Sequence, residues 1–203
     1  MGNQDISFYA SEQAYKDKSI HILPEPESFM FSNADKLLYK AILYVLDSEG
    51  RGKKFITHSE YRKVAEWLED TKGKGLFLYG KCGTGKTMLA MRAIPLIFHR
   101  VKRRFFNMYN ATDMHLKIDE ILDIKNPLII IDDIGAEGKI IDYGTERNYF
   151  AEIMDAVEKQ GKTIIITSNI STKKTYIKRY GERTWERIKA TTKPILFNFE
   201  SMR

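Results

Sequence analysis

The chain has 203 residues, of which 43% are hydrophobic and 30% charged, and its formal net charge is +6. This length suits one sizeable domain with a real core, or one domain with an appendage. The single cysteine, Cys82, excludes an internal disulfide framework, and no stretch approaches the roughly 18 apolar residues that a membrane-spanning helix needs, so we expect a cytoplasmic protein without a membrane partner.

The N-terminal region shows no firm hydrophobic period before a predicted helix at residues 34–47, for which Asn33 is a candidate N-cap. Its start lacks the basic and apolar stretches of a signal peptide. A second helix is predicted to begin near Ser59 and to end at glycines before the first predicted strand. We therefore expect an N-terminal extension, residues 1–58, as a partly helical candidate for partner binding, and a main domain, residues 59–203.

A glycine-rich loop joins a predicted strand to a predicted helix. Its residues are Gly80, Lys81, Cys82, Gly83, Thr84, Gly85, Lys86 and Thr87, and Met88 begins the helix. Glycines let successive N–H groups point at one anion, and a helix N-terminus adds partial positive charge there. Strand, loop and helix together form a phosphate-binding P-loop, so these nine residues are predicted to bind a nucleotide. Within it, Lys86 is predicted to reach the β- and γ-phosphates and the Thr87 hydroxyl to hold Mg²⁺.

A run of basic residues at 99–104 precedes a second predicted strand, residues 105–109. The run either contacts a phosphate backbone or forms a solvated loop, and the sequence leaves both interpretations open. Polar residues at 110–113 then predict a helix cap.

Two carboxylates follow a continuous run of apolar residues, 128–131, that is typical of a parallel strand covered on both faces. The carboxyl ends of such strands form the ligand crevice of an α/β sheet. This is the Walker B pattern. It predicts that Asp132 holds Mg²⁺ through a water molecule and that Asp133 orients or deprotonates the attacking water.

Another polar side chain, Asn169, ends the next predicted strand, residues 162–167, which follows a predicted helix at 145–159. Its amide can donate to the attacking water or to the γ-phosphate. Asn at the start of a loop is also ordinary turn chemistry, and the strand pattern does not decide between the two.

The excess positive charge is concentrated between residues 171 and 193, where eight Lys or Arg stand against two Glu, a local net charge of +6. The rest of the chain is therefore neutral overall. A localised basic segment indicates an anionic partner such as nucleic acid, although a solvated helix face explains many charge runs. A final strand is predicted over residues 194–199.

This ordered set of motifs resembles the AAA+ ATPases, and residues 180–188 and 195–203 make it similar to DnaC/DnaI-type helicase loaders and the related IstB-like transposition ATPases. The resemblance covers about residues 60–203. It implies an α/β P-loop NTPase fold: a five-stranded parallel sheet flanked by helices, with little or no C-terminal lid.

The resemblance also assigns residues at the carboxyl-terminal end of the site. It makes Asn169 the sensor 1 residue, Arg187 the arginine finger with Arg183 beside it, and Arg203 the sensor 2 arginine. The alternative for Arg183 and Arg187 is structural, as partners of Glu182, Glu186 or helix carbonyl groups.

By the same resemblance, ATP and Mg²⁺ are the cofactors, and the chain forms an ATP-dependent oligomer in which Arg187 reaches a neighbour's γ-phosphate. The assembly binds single-stranded DNA and loads a DnaB-type replicative helicase. Two departures qualify this. Asp133 stands where many AAA+ proteins have Glu, which predicts slow hydrolysis, and no helicase-binding domain is recognisable in residues 1–58. The alternatives are a duplex-binding transposition helper and a nucleotide-switched interaction protein.

Overall fold

The computed structural model describes residues 13, 15, 24–52, 55, 58–138, 141–142 and 145–201, with only the backbone described at 141–142 and 145–146. Arg203, the predicted sensor 2 arginine, lies outside these residues, as does most of the segment before residue 24.

Five parallel strands form the central sheet: β1 (Gly75–Gly80), β2 (Asn107–Asn110), β3 (Leu128–Ile134), β6 (Thr163–Ser168) and β7 (Thr192–Phe197). Their order in the sheet is β2–β3–β6–β1–β7. A separate antiparallel pair consists of β4 (Ile141–Asp142) and β5 (Thr145–Glu146). The predicted five-stranded parallel sheet is confirmed. Because β6 lies between β1 and β3, the carboxyl ends of these three strands meet at one edge.

Helices cover both faces of the sheet. They are α1 (Ala34–Ser48), α2 (Ser59–Glu69), α3 (Lys86–Lys102 overall), α4 (Met114–Asp123), α5 (Tyr149–Lys159), α6 (Lys173–Tyr180) and α7 (Glu182–Thr191). Strand residues alternate between two hydrophobic clusters: Leu76 and Leu78 join the cluster with α1, α2 and α3, and Phe77 joins the cluster with α4 to α7. Among the described helices, none is long and apolar enough to cross a bilayer.

Helix α3 continues through Pro95 without a break. Three segments follow without a break: Lys86–Met88, the π-helical Leu89–Ala93 and Ile94–Lys102. Pro95 lies in the first turn of the third segment. A proline ring collides with the carbonyl group four residues earlier in a regular α-helix, and the wider π turn displaces that carbonyl, so the helix passes the proline.

The residues before α1 are part of the same core. The Phe29 N–H donates to the Thr71 hydroxyl at 2.8 Å, and the Phe31 ring lies 4.8 Å from that of Phe98 in α3. Asn33 occupies the predicted N-cap position of α1, but its backbone is left-handed (φ 54°) and its side chain makes no capping hydrogen bond. The division at residue 58 stays a prediction.

Two predicted helix starts differ from the starts in the structure. Helix α5 begins at Tyr149 rather than residue 145, because β4 and β5 pair and Asn148 caps the helix by accepting the Ala151 N–H at 3.0 Å. Helix α4 follows a short 3₁₀ turn, Ala111–Asp113, without a side-chain capping bond.

We predict that Gly75→Ala destabilises the fold by about 1–3 kcal/mol, because a Cβ at Gly75 would lie 1.8 Å from the Ile164 carbonyl oxygen in β6. Urea unfolding measures the change. Gly138→Ala is the control, since a Cβ there meets nothing within 4 Å; a surface change of this kind stays within about 0.5 kcal/mol. Equal stability of the two variants would contradict the close approach of β1 to β6.

Candidate nucleotide site

The P-loop backbone is held against the end of the last strand. The Lys81 N–H donates to the Phe197 carbonyl oxygen at 2.9 Å. Gly80 and Gly83 have φ angles of 122° and 77°, and a Cβ on Gly83 would lie 2.1 Å from the Ser201 Oγ. Only glycine satisfies both the positive φ and the close approach, so the loop keeps its curl.

A buried tyrosine supports the same loop from α2. The Tyr61 hydroxyl donates to the Thr84 carbonyl oxygen at 2.9 Å, and the Thr84 hydroxyl donates to the Lys81 carbonyl oxygen at 2.8 Å. Burial raises the pKa of Tyr61 well above its usual value, so the hydroxyl keeps its proton. In the sequence, Tyr61 occupies an apolar position of the second predicted helix. No local signal distinguishes it from other buried tyrosines.

The Lys86 ammonium group lies at the centre of the site, and only 5% of the surface of Lys86 is exposed to solvent. It donates to the carbonyl oxygens of Gly80 (3.1 Å) and Lys81 (2.7 Å) and to the Oδ1 of Asn169 (3.1 Å). These neutral acceptors fix the position of the charge beside the loop. Lys86 of the P-loop thereby contacts Asn169 at the end of β6, 83 positions further along the chain.

The second predicted carboxylate, Asp133, lies in a bulge of β3. The β3–β6 register shifts between Ile131 and Ile134, and Asp133 itself has a φ of 60°. Its N–H donates to the Thr167 hydroxyl oxygen at 2.8 Å, and the Asn169 amide donates to its Oδ1 at 2.7 Å. The bulge turns Asp133 toward Asn169, and therefore toward Lys86.

The first carboxylate, Asp132, is 7% exposed and accepts a 2.5 Å hydrogen bond from the Thr167 hydroxyl. Thr167 thus bridges both acidic residues, a role that the sequence analysis missed. The available signal was the position of Thr167 at the carboxyl end of a buried strand.

The electrostatic environment disfavours ionisation of Asp133. Desolvation raises the pKa of its carboxyl above the usual value, and the charges of Asp132 and Glu137 raise it further. Lys86 and the hydrogen bond from Asn169 act in the opposite direction without cancelling the shift. Positioned carboxylates with a raised pKa are typical of groups that accept a proton during catalysis.

Glu137 holds the loop that follows Asp133. One carboxylate oxygen accepts the Gly135 N–H at 2.8 Å, and the other accepts the Tyr180 hydroxyl and lies 3.3 Å from the Arg179 guanidinium. The loop is thereby fixed to α6. In the sequence Glu137 is distinguishable only as a loop residue, because its partners Arg179 and Tyr180 lie 42 and 43 positions away.

These groups line a cleft of about 850 Å³. Its lining includes P-loop residues, Asp133 and Asn169, the side chains of Phe55, His58 and Met91, and Glu200 and Ser201. The His58 and Phe199 rings stack at 3.8 Å, which fixes part of the apolar side. The cleft combines a cationic phosphate cradle with an apolar wall, as a nucleotide requires.

The oxygen donors at the cleft suit Mg²⁺. Thr87 lines the cleft, and Asp132 and Asp133 supply carboxylates near the carboxyl end of β3. Among the described residues, no three His, Cys, Asp or Glu side chains converge as a metal site made of protein alone would require. Mg²⁺ usually completes its shell with waters and phosphate oxygens, so this donor set fits it.

The predicted finger, Arg187, has partners within its own subunit. Its guanidinium pairs with Asp155 and, at 2.8 Å, with Glu158, and its side chain is 11% exposed. The alternative partner Glu186 instead pairs with Lys189 at 2.6 Å. In the isolated subunit Arg187 therefore has structural partners, and these lie on α5 rather than on α7, its own helix.

Arg183, the second predicted arginine, is exposed on α7, and its charge contributes to a lowered pKa of Asp155 after the larger effects of Lys159 and Arg187. Neither Arg183 nor Arg187 lines the described cleft. Their role at a neighbouring subunit stays a prediction.

Comparison with known proteins gives a family and a fold. A family model described as "Novel STAND NTPase 3" matches residues 55–197. The DnaC helicase loader shares the fold with a TM-score of 0.56 and 21% identity, over 71% of this chain and 94% of that one. For DnaI the values are 0.52 and 20%, over 83% and 95%. The predicted resemblance to these ATPases is confirmed at the level of fold.

A third similar structure is AMPPCP-bound DnaA from Aquifex aeolicus, with a TM-score of 0.50 and 21% identity, over 72% of this chain and 49% of that one. A comparison with curated protein sequences finds no match.

We predict that Asp133→Asn raises the melting temperature of the nucleotide-free protein. The raised pKa of Asp133 means that its charged form is disfavoured in the fold, so it costs stability as pH rises through that pKa. Asn keeps the acceptor for Asn169 and tolerates a positive φ. A rise of about 2–4 °C corresponds to 1 kcal/mol for a chain of this size, and calorimetry at neutral pH measures it.

The gain should shrink as pH falls and wild-type Asp133 becomes protonated. A lower melting temperature for Asp133→Asn at neutral pH would contradict the electrostatic account.

Proposed function

This chain belongs to the Novel STAND NTPase 3 family, and on that premise we propose that it binds and hydrolyses ATP. The observation that carries the proposal is the line of contacts from Lys86 through Asn169 to Asp133. It places the phosphate-binding charge, a polar amide and a carboxylate of raised pKa at one cleft. ATP is our choice of nucleotide because the fold is shared with a DnaA that was solved with AMPPCP.

In the proposed reaction the γ-phosphoryl group passes to water. The P-loop N–H groups and Lys86 bind the β- and γ-phosphates, so the ammonium exchanges carbonyl acceptors for phosphate oxygens. Asn169 orients the water, and Asp133 accepts its proton. Thr87 and Asp132 would hold Mg²⁺, which would supply positive charge to neutralise the phosphate oxygens.

We further propose that the ATP-bound chain assembles on single-stranded DNA and loads a replicative helicase. Support comes from the fold shared with the DnaC helicase loader and from the basic helices α6 and α7. Arg179, in α6, contacts Glu137 in the loop after Asp133, so an anion that binds α6 can influence the catalytic loop. The transposition helper remains the alternative with duplex DNA as partner.

A second candidate function is a nucleotide switch with little turnover. The observation that favours it is Asp133 itself. Its side chain is one methylene shorter than Glu, so its carboxylate reaches less far toward the attacking water. In that case ATP binding, rather than hydrolysis, would control partner binding.

We predict that Lys86→Ala weakens ATP binding about 100-fold or more, because two charge-assisted hydrogen bonds to phosphate are worth about 1.5–3 kcal/mol each. Titration with a fluorescent ATP analogue measures the affinity. Lys81→Ala is the matched control, since it removes the same charge from the exposed side of the loop and should leave binding within a few-fold. Equal losses would mean that charge near the loop, rather than the Lys86 contact, binds the nucleotide.

The same preparation separates the candidate functions. A loader predicts turnover stimulated by single-stranded DNA and capture of the hexameric helicase with ATP. A transposition helper predicts stimulation by duplex DNA, and a switch predicts ATP-dependent partner capture with negligible turnover of the wild type.

We predict that Arg187 acts across a subunit interface, and mixing two inactive variants tests this. Arg187→Ala retains the P-loop but lacks the finger, whereas Lys86→Ala lacks nucleotide but retains the finger. In a mixture, Arg187 of one variant can complete the site of the other, so turnover recovers in part; a trans arginine is worth about 10³–10⁵ in rate.

The control is Asp155→Asn with Glu158→Gln, which removes the charges that bind Arg187 in the isolated subunit. Turnover in this variant should be retained or increased. If it is lost as in Arg187→Ala, and the mixture stays inactive, Arg187 is structural.

A further inference from the structure

The most exposed large apolar side chains include Phe105, whose ring leaves 67% of its surface in solvent. Its neighbour Phe106 is buried and packs 4.9 Å from Phe98, so the fold has its aromatic anchor without Phe105. The backbone of Phe105 is nevertheless fixed, because its carbonyl oxygen accepts the Asn126 amide at 3.0 Å. His99 lies 4.6 Å away and supports the ring from α3.

Basic residues flank this ring along the chain and beside its backbone partner. Arg100 lies in the last turn of α3, Arg103 is the C-cap of α3, and Lys125 is next to the Asn126 that binds the Phe105 backbone; all three side chains are exposed. Their neighbour Arg104 is neutralised by Glu27, with both oxygens at 2.8 Å. In the part of the chain that the structure describes, no ion pair is recorded for Arg100, Arg103 or Lys125.

This surface lies at the other end of the sheet from the nucleotide. The P-loop follows the carboxyl end of β1, whereas Phe105 precedes the amino end of β2, and the strands are parallel. A ligand at Phe105 therefore does not enter the cleft, and its binding does not require ATP.

We propose that Phe105, with Arg100, Arg103 and Lys125, forms a separate contact for single-stranded nucleic acid, which we call the Phe105 platform. An exposed aromatic face stacks on an unpaired base, and cations beside it bind the adjoining phosphates. A duplex hides its base faces, and an acidic peptide uses the cations without the ring. The inference deepens the proposed function and rests on it for the class of ligand.

The test is binding of a fluorescently labelled oligothymidylate, followed by anisotropy without nucleotide. Phe105→Ala should weaken binding about 5- to 150-fold, the range for loss of one base–aromatic stack. Tyr44→Ala is the matched control, because Tyr44 is also a solvent-exposed aromatic (64%) but lies on α1; it should change affinity less than about twofold.

A second pair of variants tests the phosphate contact. Arg100→Ala should reduce the slope of log affinity against log salt by about one, whereas Lys40→Ala, also exposed on a helix, should leave it unchanged. A duplex of the same length should compete poorly for Phe105-dependent binding.

Three results would contradict the platform. The first is that Phe105→Ala and Tyr44→Ala change the affinity for oligothymidylate equally, and the second is that Phe105→Ala weakens binding to the duplex as much as binding to the single strand. The third is that Phe105→Ala weakens binding to anionic lipid vesicles but not to the oligonucleotide. If the wild type binds no oligonucleotide in any nucleotide state, the nucleic-acid part of the proposed function fails as well. If it binds only with ATP and Phe105→Ala binds equally well, the platform alone fails.

Discussion

The position of one ammonium group, that of Lys86, connects most of what the structure places at the cleft. Lys86 begins α3, yet its nitrogen contacts carbonyl groups of the P-loop and the side chain of Asn169 at the end of β6. Asn169 in turn donates to Asp133 in the bulge of β3. This line of contacts exists because β6 separates β1 from β3 in the sheet. The strand order therefore determines which side chains meet at the site.

The Asp133 side of the cleft is held in a conformation that costs energy. Asp133 combines a positive φ with a carboxyl whose ionisation burial disfavours. Thr167, Asn169 and Glu137 hold this segment through hydrogen bonds from three directions. Strain of this kind persists where the surroundings over-determine it, and it is common at functional sites. The same bonds extend to α6 through Tyr180, so the carboxylate is connected to a basic surface.

The positively charged surfaces are divided between the two ends of the sheet. Helices α6 and α7 follow the carboxyl end of β6, and Arg179 of α6 contacts Glu137 in the loop after Asp133, while the Phe105 platform precedes β2 at the opposite end. Under the proposed function, charge on α6 can respond to the nucleotide, and charge at the platform cannot do so directly. The proposed platform would then hold a nucleic-acid strand throughout the nucleotide cycle, whether that cycle is hydrolysis or switching.

The amino-acid sequence by itself determined the local features: the P-loop, the paired carboxylates, the polar residue after β6 and the parallel strands. Each follows from spacing and residue type within about ten positions, because backbone conformation and strand burial are local properties. Only the tertiary structure decided that Asn169 meets Lys86, 83 positions away, that Arg187 pairs with α5, and that Phe105 is exposed while Phe106 is buried. Those contacts depend on how helices and strands pack against one another, and no local pattern encodes that geometry.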